Sequence, residues 1–208
     1  MVCREIQSTE MQDDRYMRKK TPGGAEKGTV PLIRLAEERD IPEIVELVRE
    51  FAQGHPSEDL ARNGKKIEAA YFGDNPAGEL IVAERKGRAV GMVQWYRQYD
   101  MFWEVYLGIP EWLFVREDSR GLGISIALIA FLCERVRRAG GEFIYGPGAE
   151  ATTSIFTRYA FDAGSAETFR LSGEAFHQWA DLAGSSPRQI IRNLPPPELN
   201  RADPKPRA

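Results

Sequence analysis

The fold is decided by the stretch Leu113-Phe114-Val115-Arg116-Glu117-Asp118-Ser119-Arg120-Gly121-Leu122-Gly123-Ile124-Ser125. Its pattern predicts a strand, a short turn with two glycines, and then an amphipathic helix. The first turn of a helix has N–H groups without intrahelical partners, and the helix dipole makes that end positive. Glycines let an anion approach the backbone closely, and Arg120 adds positive charge. The stretch therefore predicts a site for phosphate or pyrophosphate; a tight strand-to-helix turn without a ligand is the alternative.

Two other kinds of phosphate loop do not fit this stretch. A Walker A loop ends in Gly-Lys-Ser or Gly-Lys-Thr, which the stretch lacks. A dinucleotide-binding fingerprint needs a third glycine three residues after Gly123, and that position is Ile126.

The sequence on both sides alternates between strands and helices. A helix is predicted from Asp40, which would cap it, with Pro42 in the first turn and Glu43 answering at the third position. A long strand is predicted from Trp103 to Val115, and Pro110 predicts a bulge or splay in it because proline cannot donate to a ladder. The other predicted elements are strands at 32–35, 80–83, 89–99, 143–145 and 168–171 and helices at 57–70, 152–160 and 174–182. A further helix is predicted from Gly123 and is ended by Gly140-Gly141.

Two segments of this region resemble a known family. The run Arg120-Gly121-Leu122-Gly123-Ile124-Ser125 is similar to the Arg/Gln-x-x-Gly-x-Gly/Ala acetyl-CoA loop of the GNAT N-acetyltransferases, and Glu111-Trp112-Leu113-Phe114-Val115 resembles the family's fourth strand. The resemblance covers most of residues 30–171 and includes the order of the elements. It implies an α+β fold in three layers: a mixed, mostly antiparallel sheet flanked by helices, with the fourth and fifth strands splayed apart.

The resemblance also implies how acetyl-CoA is held. Amides around the two glycines would hold its pyrophosphate, and the backbone of the fourth strand would pair with the pantetheine arm. Ser125 stands where relatives usually carry glycine or alanine, and its small hydroxyl could itself bond a phosphate. No metal is expected, because His55 and His177 have no cysteine or acidic partner at ligand spacing. The expected cofactor-binding residues are Phe114, Val115, Arg120, Gly121, Leu122, Gly123, Ile124 and Ser125.

The expected catalytic residues follow from the same resemblance. Glu111 is the candidate base, directly or through water, and Glu104 is the second choice; a solvated strand-edge carboxylate is the alternative for either. Relatives often carry an asparagine and a general-acid tyrosine in a later helix, where this chain has Ala149 and Phe156. Tyr159, near the same helix face as Phe156, or a nearby water would substitute as the acid; the alternative is that Tyr159 only packs in the core. A backbone amide at Phe114 or Val115 would stabilise the oxyanion.

Aromatic residues are concentrated before the loop. Of the 21 aromatic residues in the chain, eight lie between Trp95 and Phe114. Alternation along strands sends about half of them to the core, and the others could wall an acceptor cleft. Together with Glu104 and Glu111 they would suit a cationic amine; packing or a dimer surface is the alternative. The cluster Arg135-Val136-Arg137-Arg138 could contact the 3′-phosphate of coenzyme A or form a solvated helix end.

Composition divides the chain into three parts. Residues 1–29 are polar and without period, which predicts a flexible arm. Residues 30–183 carry the periodic elements and predict one acetyltransferase domain. Six of the 13 prolines fall between Pro187 and Pro206, and no aromatic residue follows Trp179. Residues 184–208 are therefore predicted to be a flexible proline-rich tail.

Charge and cysteine content limit the possible functions. With 28 basic and 31 acidic residues the net charge is −3, so no global basic field predicts a nucleic-acid partner. No apolar run reaches the length of a membrane span, and two cysteines favour the reducing cytoplasm. The chain is thus expected to be a cytoplasmic enzyme that acetylates a small amine or a peptide or protein amine. One alternative is a catalytically weak coenzyme A-binding module, and another is an interaction protein whose tails carry the function, with the proline-rich end as a docking segment. A homodimer is allowed by analogy with relatives.

Overall fold

The computed structural model describes residues 30–53, 64–147, 162–163, 168–196 and 199 of the 208-residue chain. The predicted arm at 1–29 and the predicted helix at 152–160 lie outside these ranges. The described helices and strands are β1 (Leu32–Leu35), α1 (Ile41–Phe51), α2 (Gly64–Tyr71), β2 (Glu79–Arg85), β3 (Arg88–Asp100), β4 (Val105–Val115), α3 (Ile124–Arg138), β5 (Gly141–Pro147), β6 (Asp162–Ala163), β7 (Thr168–Leu171), α4 (Gly173–Asp181) and α5 (Pro187–Asn193).

The strands form one sheet in the order β1-β2-β3-β4-β5-β7-β6. Strands β1 to β4 are antiparallel neighbours, β4 and β5 run parallel, and β5, β7 and β6 are again antiparallel. This mixed, mostly antiparallel sheet confirms the predicted α+β class. The parallel step needs a crossover, and α3 supplies it.

Helices cover both faces of the sheet. Alternate residues of β2 point to opposite faces, so that Ile81 packs with α3, α4 and α5 while Val82 packs with α1 and α2. Trp179 and Phe176 of α4 are fully buried on the α3 side. The result is the predicted three-layer arrangement. None of the described helices is long and apolar enough to cross a bilayer.

Strand β4 carries a bulge close to the predicted position. Trp112 pairs with Gln94 and Pro110 pairs with Trp95, so the residue between them, Glu111, has no partner across the ladder. On its other edge β4 pairs with β5 at Tyr106 and Gly108, although it continues to Val115. The central strands therefore diverge over the second half of β4, as the splayed arrangement requires.

The start of α1 differs from the predicted cap. The Asp40 carboxylate does not bond the first turn of α1; instead it accepts hydrogen bonds from the Glu37 amide at 2.8 Å and from Arg34 at 2.6 and 2.8 Å. Glu43, expected to answer the cap, pairs with Arg116. The prediction was wrong because a buried arginine on β1 competes for Asp40, and the local motif contains no sign of it.

The predicted boundary of the tail at residue 184 was also wrong. Helix α5 begins with a capping box in which Ser186 Oγ accepts from the Gln189 amide and the Ser186 amide donates to Gln189 Oε1. Ile190 is only 1% exposed and belongs to the main core. Proline content suggested a flexible segment, but Pro187 stands in the first turn of the helix, where its missing N–H costs nothing.

Candidate functional site

The turn between β4 and α3 forms a backbone cradle. After a short 3₁₀ turn at Glu117–Ser119, Gly121 and Gly123 adopt φ values of +75° and +76°, and α3 begins directly afterwards. Left-handed φ values strain residues with a Cβ, so both positions favour glycine.

Six consecutive amides in this turn have no acceptor among the described residues. The Arg120 amide donates to Glu117 O at 3.2 Å and the Ala127 amide to Gly123 O at 3.1 Å, which leaves the N–H groups of residues 121–126 unbonded. A Cβ added at Gly121 would meet nothing within 4 Å, so the outer side of the turn is open. This donor set fits a pyrophosphate at the positive end of the α3 dipole. Five of the residues that the sequence predicted for cofactor binding lie in it: Gly121, Leu122, Gly123, Ile124 and Ser125.

Two arginines at the turn have different surroundings. Arg120 is exposed, donates from Nε to Val115 O at 3.1 Å, and has no carboxylate within ion-pair distance in the described part of the chain. Arg116 is buried and contacts Glu50 at 2.8 Å and Glu43 at 3.2 Å, so it ties the turn to α1. Sequence reasoning missed Arg116, since its partners lie more than 60 residues earlier.

The open edge of β4 presents backbone groups toward the splay. The Arg116 amide donates to Val90 O at 2.9 Å, so the backbone groups of Arg116 point toward β3. Because backbone groups alternate in direction along an antiparallel strand, those of Phe114 also point toward β3. The backbone groups of Leu113 and Val115 point toward the β5 side. The sequence suggested the backbone of Phe114 and Val115 for the pantetheine arm; the backbone groups of Val115 and Leu113 point to the splayed side, and those of Phe114 do not.

The bulge presents Glu111 beside two tyrosines. Tyr96 of β3 donates from its hydroxyl to Glu111 Oε1 at 3.2 Å. Burial and the Glu111 charge raise the pKa of Tyr71 on α2; the same two causes, with this hydrogen bond, raise the pKa of Tyr96. Both phenols therefore stay protonated beside an exposed carboxylate. Glu111 can accept a proton from a ligand, and Tyr71 can donate a hydrogen bond to it, because the Tyr96 hydrogen is already donated to Glu111.

An aromatic cluster lies between Glu111 and the turn. The ring of Phe51, at the end of α1, lies 4.7 Å from Trp112 and 5.8 Å from Phe114 between centroids. Trp112 and Phe114 belong to the eight aromatic residues before the loop, some of which were expected to wall an acceptor cleft. Phe51 is 42% exposed, so this cluster is open to solvent on one side.

The remaining candidates lie elsewhere. Glu104 is in the β3–β4 turn with a φ of +54°, at the opposite end of β4 and roughly 20 Å along the strand from Glu111. The structure does not bring it to the site. Tyr159, Phe156 and Ala149 lie outside the described residues.

Cys133 is buried, and burial raises the pKa of its thiol, as expected for a small residue of the core. Across the described ranges, no three His, Cys, Asp or Glu side chains are grouped for a metal.

Comparison with known proteins names the family. The model of the acetyltransferase (GNAT) family matches residues 41–153, more than half of the chain. The chain belongs to this family. Members of the GNAT family transfer an acyl group from acyl-CoA, and the donor set at residues 121–126 lies within the matched range. No curated protein matches the sequence.

Solved structures of other GNAT proteins share the fold. An acetyltransferase from Trypanosoma brucei is 25% identical, covers 65% of this chain and 94% of its own, and superposes with a TM-score of 0.55. A ribosomal-protein-alanine N-acetyltransferase from Brucella melitensis is 18% identical, with 68% and 99% covered and a TM-score of 0.55. A GNAT acetyltransferase from Brucella melitensis in complex with acetyl-CoA is 19% identical, with 69% and 88% covered and a TM-score of 0.54.

Proposed function

We propose that this GNAT protein is a cytoplasmic N-acetyltransferase in which a primary amine attacks the thioester of acetyl-CoA directly. The observation that carries the proposal is the row of unbonded amides at residues 121–126. These amides follow the end of β4, the splayed strand whose bulge presents Glu111. One end of β4 thus offers an anion cradle, an open backbone edge and a carboxylate in succession. A relative of the same fold binds acetyl-CoA, and another is named for an alanine amine acceptor.

The residues present fit this cosubstrate. The amides of residues 121–126 would hold the pyrophosphate, and Arg120 would turn from Val115 O toward it. The backbone of Leu113 and Val115 would pair with the amides of the pantetheine arm, as an added strand does. Acetyl-CoA would supply the activated acyl group.

The same end of β4 would handle the acceptor. An amine is a nucleophile only as the free base, so Glu111 would take its proton, directly or through water. The hydroxyls of Tyr71 and Tyr96 would hydrogen-bond the acceptor, and the cluster of Phe51, Trp112 and Phe114 would exclude water from it. The open-edge amides are donors for an oxygen that gains charge during transfer. Tyr159 remains the proposed proton donor to the leaving thiolate.

A matched pair of loop variants tests the cosubstrate. Wild-type protein should gain several degrees in melting temperature with millimolar acetyl-CoA. Gly121→Asp should lose that gain, because its carboxylate repels the pyrophosphate. Gly121→Asn, which matches aspartate in size and tolerates left-handed φ, should keep most of it. Absence of stabilisation in the wild type, or equal shifts in the two variants, would contradict the proposal.

Turnover is tested separately by thiol release with a panel of primary amines. Glu111→Gln should lower kcat by about 10²-fold or more, as loss of a general base does. Glu104→Gln should leave it unchanged, since Glu104 lies at the other end of β4. Phe156 and Ala149 in place of the family's usual residues favour one alternative, a coenzyme A-binding module without catalysis. Acetyl-CoA binding without turnover across the panel would support that alternative.

A further inference from the structure

Helix α5 packs directly on the turn that begins α3. A Cβ added at Gly123 would lie 2.4 Å from Pro187 Cβ and 3.6 Å from Pro187 Cα. Ile190, one turn further along α5, is buried in the same core cluster as Ile124 and Leu128 of α3. The start of α5 is therefore fixed beside the six unbonded amides.

The outward side of α5 carries two arginines without carboxylate partners in the described part of the chain. Arg188 and Arg192 are exposed, and their spacing of four residues places them on one face of the helix. The nearby polar side chains are engaged: Gln189 in the capping box and Asn193 with the Gln189 carbonyl. The sequence of α5 contains no acidic residue. Arg120, Arg188 and Arg192 thus form no ion pair within the described residues, not even with the exposed Glu117 and Asp118 of the turn.

We propose that Arg188 and Arg192 of α5 form a second anion subsite, which binds the 3′-phosphate of coenzyme A. The inference rests on the proposed function, since it needs coenzyme A at the turn. The amides of residues 121–126 account for the pyrophosphate, but the ribose 3′-phosphate is a separate dianion. Arg188 follows Pro187 directly, so its Cα is 3.8 Å from that of Pro187. Arg192 lies about one helical turn further along. Two guanidinium groups on one face suit a phosphate, which arginine binds in bidentate geometry.

The basic cluster at the end of α3 does not offer the same subsite. Arg135, Arg137 and Arg138 are paired with Glu79, Asp181 and Glu134, respectively. They also lie at the far end of a 15-residue helix, roughly 20 Å from Gly123. These ion pairs and this distance favour the helix-end interpretation of the cluster, so the α5 arginines are the better candidates for the 3′-phosphate.

Titration with acetyl-CoA and with acetyl-3′-dephospho-CoA, followed by calorimetry, tests the subsite. Wild type should bind the complete ligand about 10- to 100-fold more tightly, the range expected for hydrogen bonds between charged groups. Arg188→Gln with Arg192→Gln should lose most of this preference, while its affinity for the dephospho ligand stays the same. Both side chains are exposed, so the melting temperature of the free variant should not change.

Lys66→Glu is the matched control. It alters the net charge by the same two units but lies on α2, on the opposite face of the sheet. It should keep the full preference for acetyl-CoA. Equal affinity of the wild type for both ligands, or an equal loss for both in the double variant, would overturn the subsite and leave the proposed function standing. Failure of the wild type to bind either ligand would overturn the proposed function and the subsite with it.

Discussion

The Glu111 carboxylate affects the titration of two tyrosines at the acceptor end of the site. Burial comes first and the Glu111 charge second among the causes that raise the pKa values of Tyr71 and Tyr96. A negative neighbour disfavours the phenolate, so Glu111→Gln should lower both pKa values, and the burial contribution should remain. Difference absorbance of ionising tyrosine during a pH titration measures this, with Tyr96→Phe to assign that residue's share.

Glu104→Gln is the control for this titration. It also removes one carboxylate, but from the β3–β4 turn at the other end of β4. The titration of the two tyrosines should therefore stay unchanged. An unaltered titration in Glu111→Gln would show that this carboxylate does not act on the two phenols.

The two glycines of the turn have the same backbone conformation but different neighbours. Gly121→Ala should cost about 1–2 kcal/mol in free energy of unfolding, the strain of left-handed φ alone, since its surroundings are open. Gly123→Ala should cost a further 1–3 kcal/mol, because its Cβ would overlap Pro187. Urea unfolding of both variants measures the difference. Equal losses would mean that α5 does not press on the turn in solution.

At the scale of elements, the junction of β1 and α1 depends on Asp40. Burial by itself raises the pKa of Asp40, but hydrogen bonds from Arg34 and the Glu37 amide, together with the charges of Arg34 and Arg39, lower it below its ordinary value. A lowered carboxyl pKa contributes stability above about pH 4, and that stability is lost as the pH falls through the folded-state value. Asp40→Asn should therefore lower the free energy of unfolding by about 1–3 kcal/mol at neutral pH. In this variant the free energy of unfolding should also fall less steeply as the pH is lowered.

Urea unfolding between neutral and acid pH checks this, with Glu46→Gln as the control. Glu46 forms an exposed pair with Arg49, so this variant should stay within about 0.5 kcal/mol of the wild type and keep its acid slope. If the free energy of unfolding of Asp40→Asn falls as steeply on acidification as that of the wild type, Asp40 does not cause the loss of stability at acid pH.

What the sequence could predict depends on whether the interacting residues are close together along it. The helical period of α3, the strand patterns at 80–83 and 89–99 and the two-glycine turn are local patterns, and each leads to the observed element. The contacts of Arg116 with Glu50 and of Arg34 with Glu84 join distant parts of the chain, so periodicity carries no sign of them. Glu111 lies at the bulge that the sequence predicted in β4. Tyr71 was not expected beside it, because Tyr71 lies on α2, 40 residues earlier in the chain.

Over the whole molecule, the same limit explains the misplaced domain boundary. Composition marked residues 184–208 as unable to form a core of their own, which is a sound inference for an isolated segment. The segment does not need its own core, because Ile190 is buried in the core that α3 and α4 build. A short helix can therefore be stable in a proline-rich region when the surface that buries it comes from elsewhere in the chain.

Two truncations test whether α5 belongs to the folding unit. Removal of residues 186–208 takes away Ile190, which is 1% exposed, and the Leu194 and Leu199 side chains that pack against the core. Loss of one such buried aliphatic side chain costs roughly 2–5 kcal/mol, so the urea midpoint should fall clearly. Removal of residues 200–208 keeps every described residue and should leave the free energy of unfolding within about 0.5 kcal/mol of the full chain. Equal destabilisation by the two truncations would assign the effect to the segment after Leu199 rather than to α5.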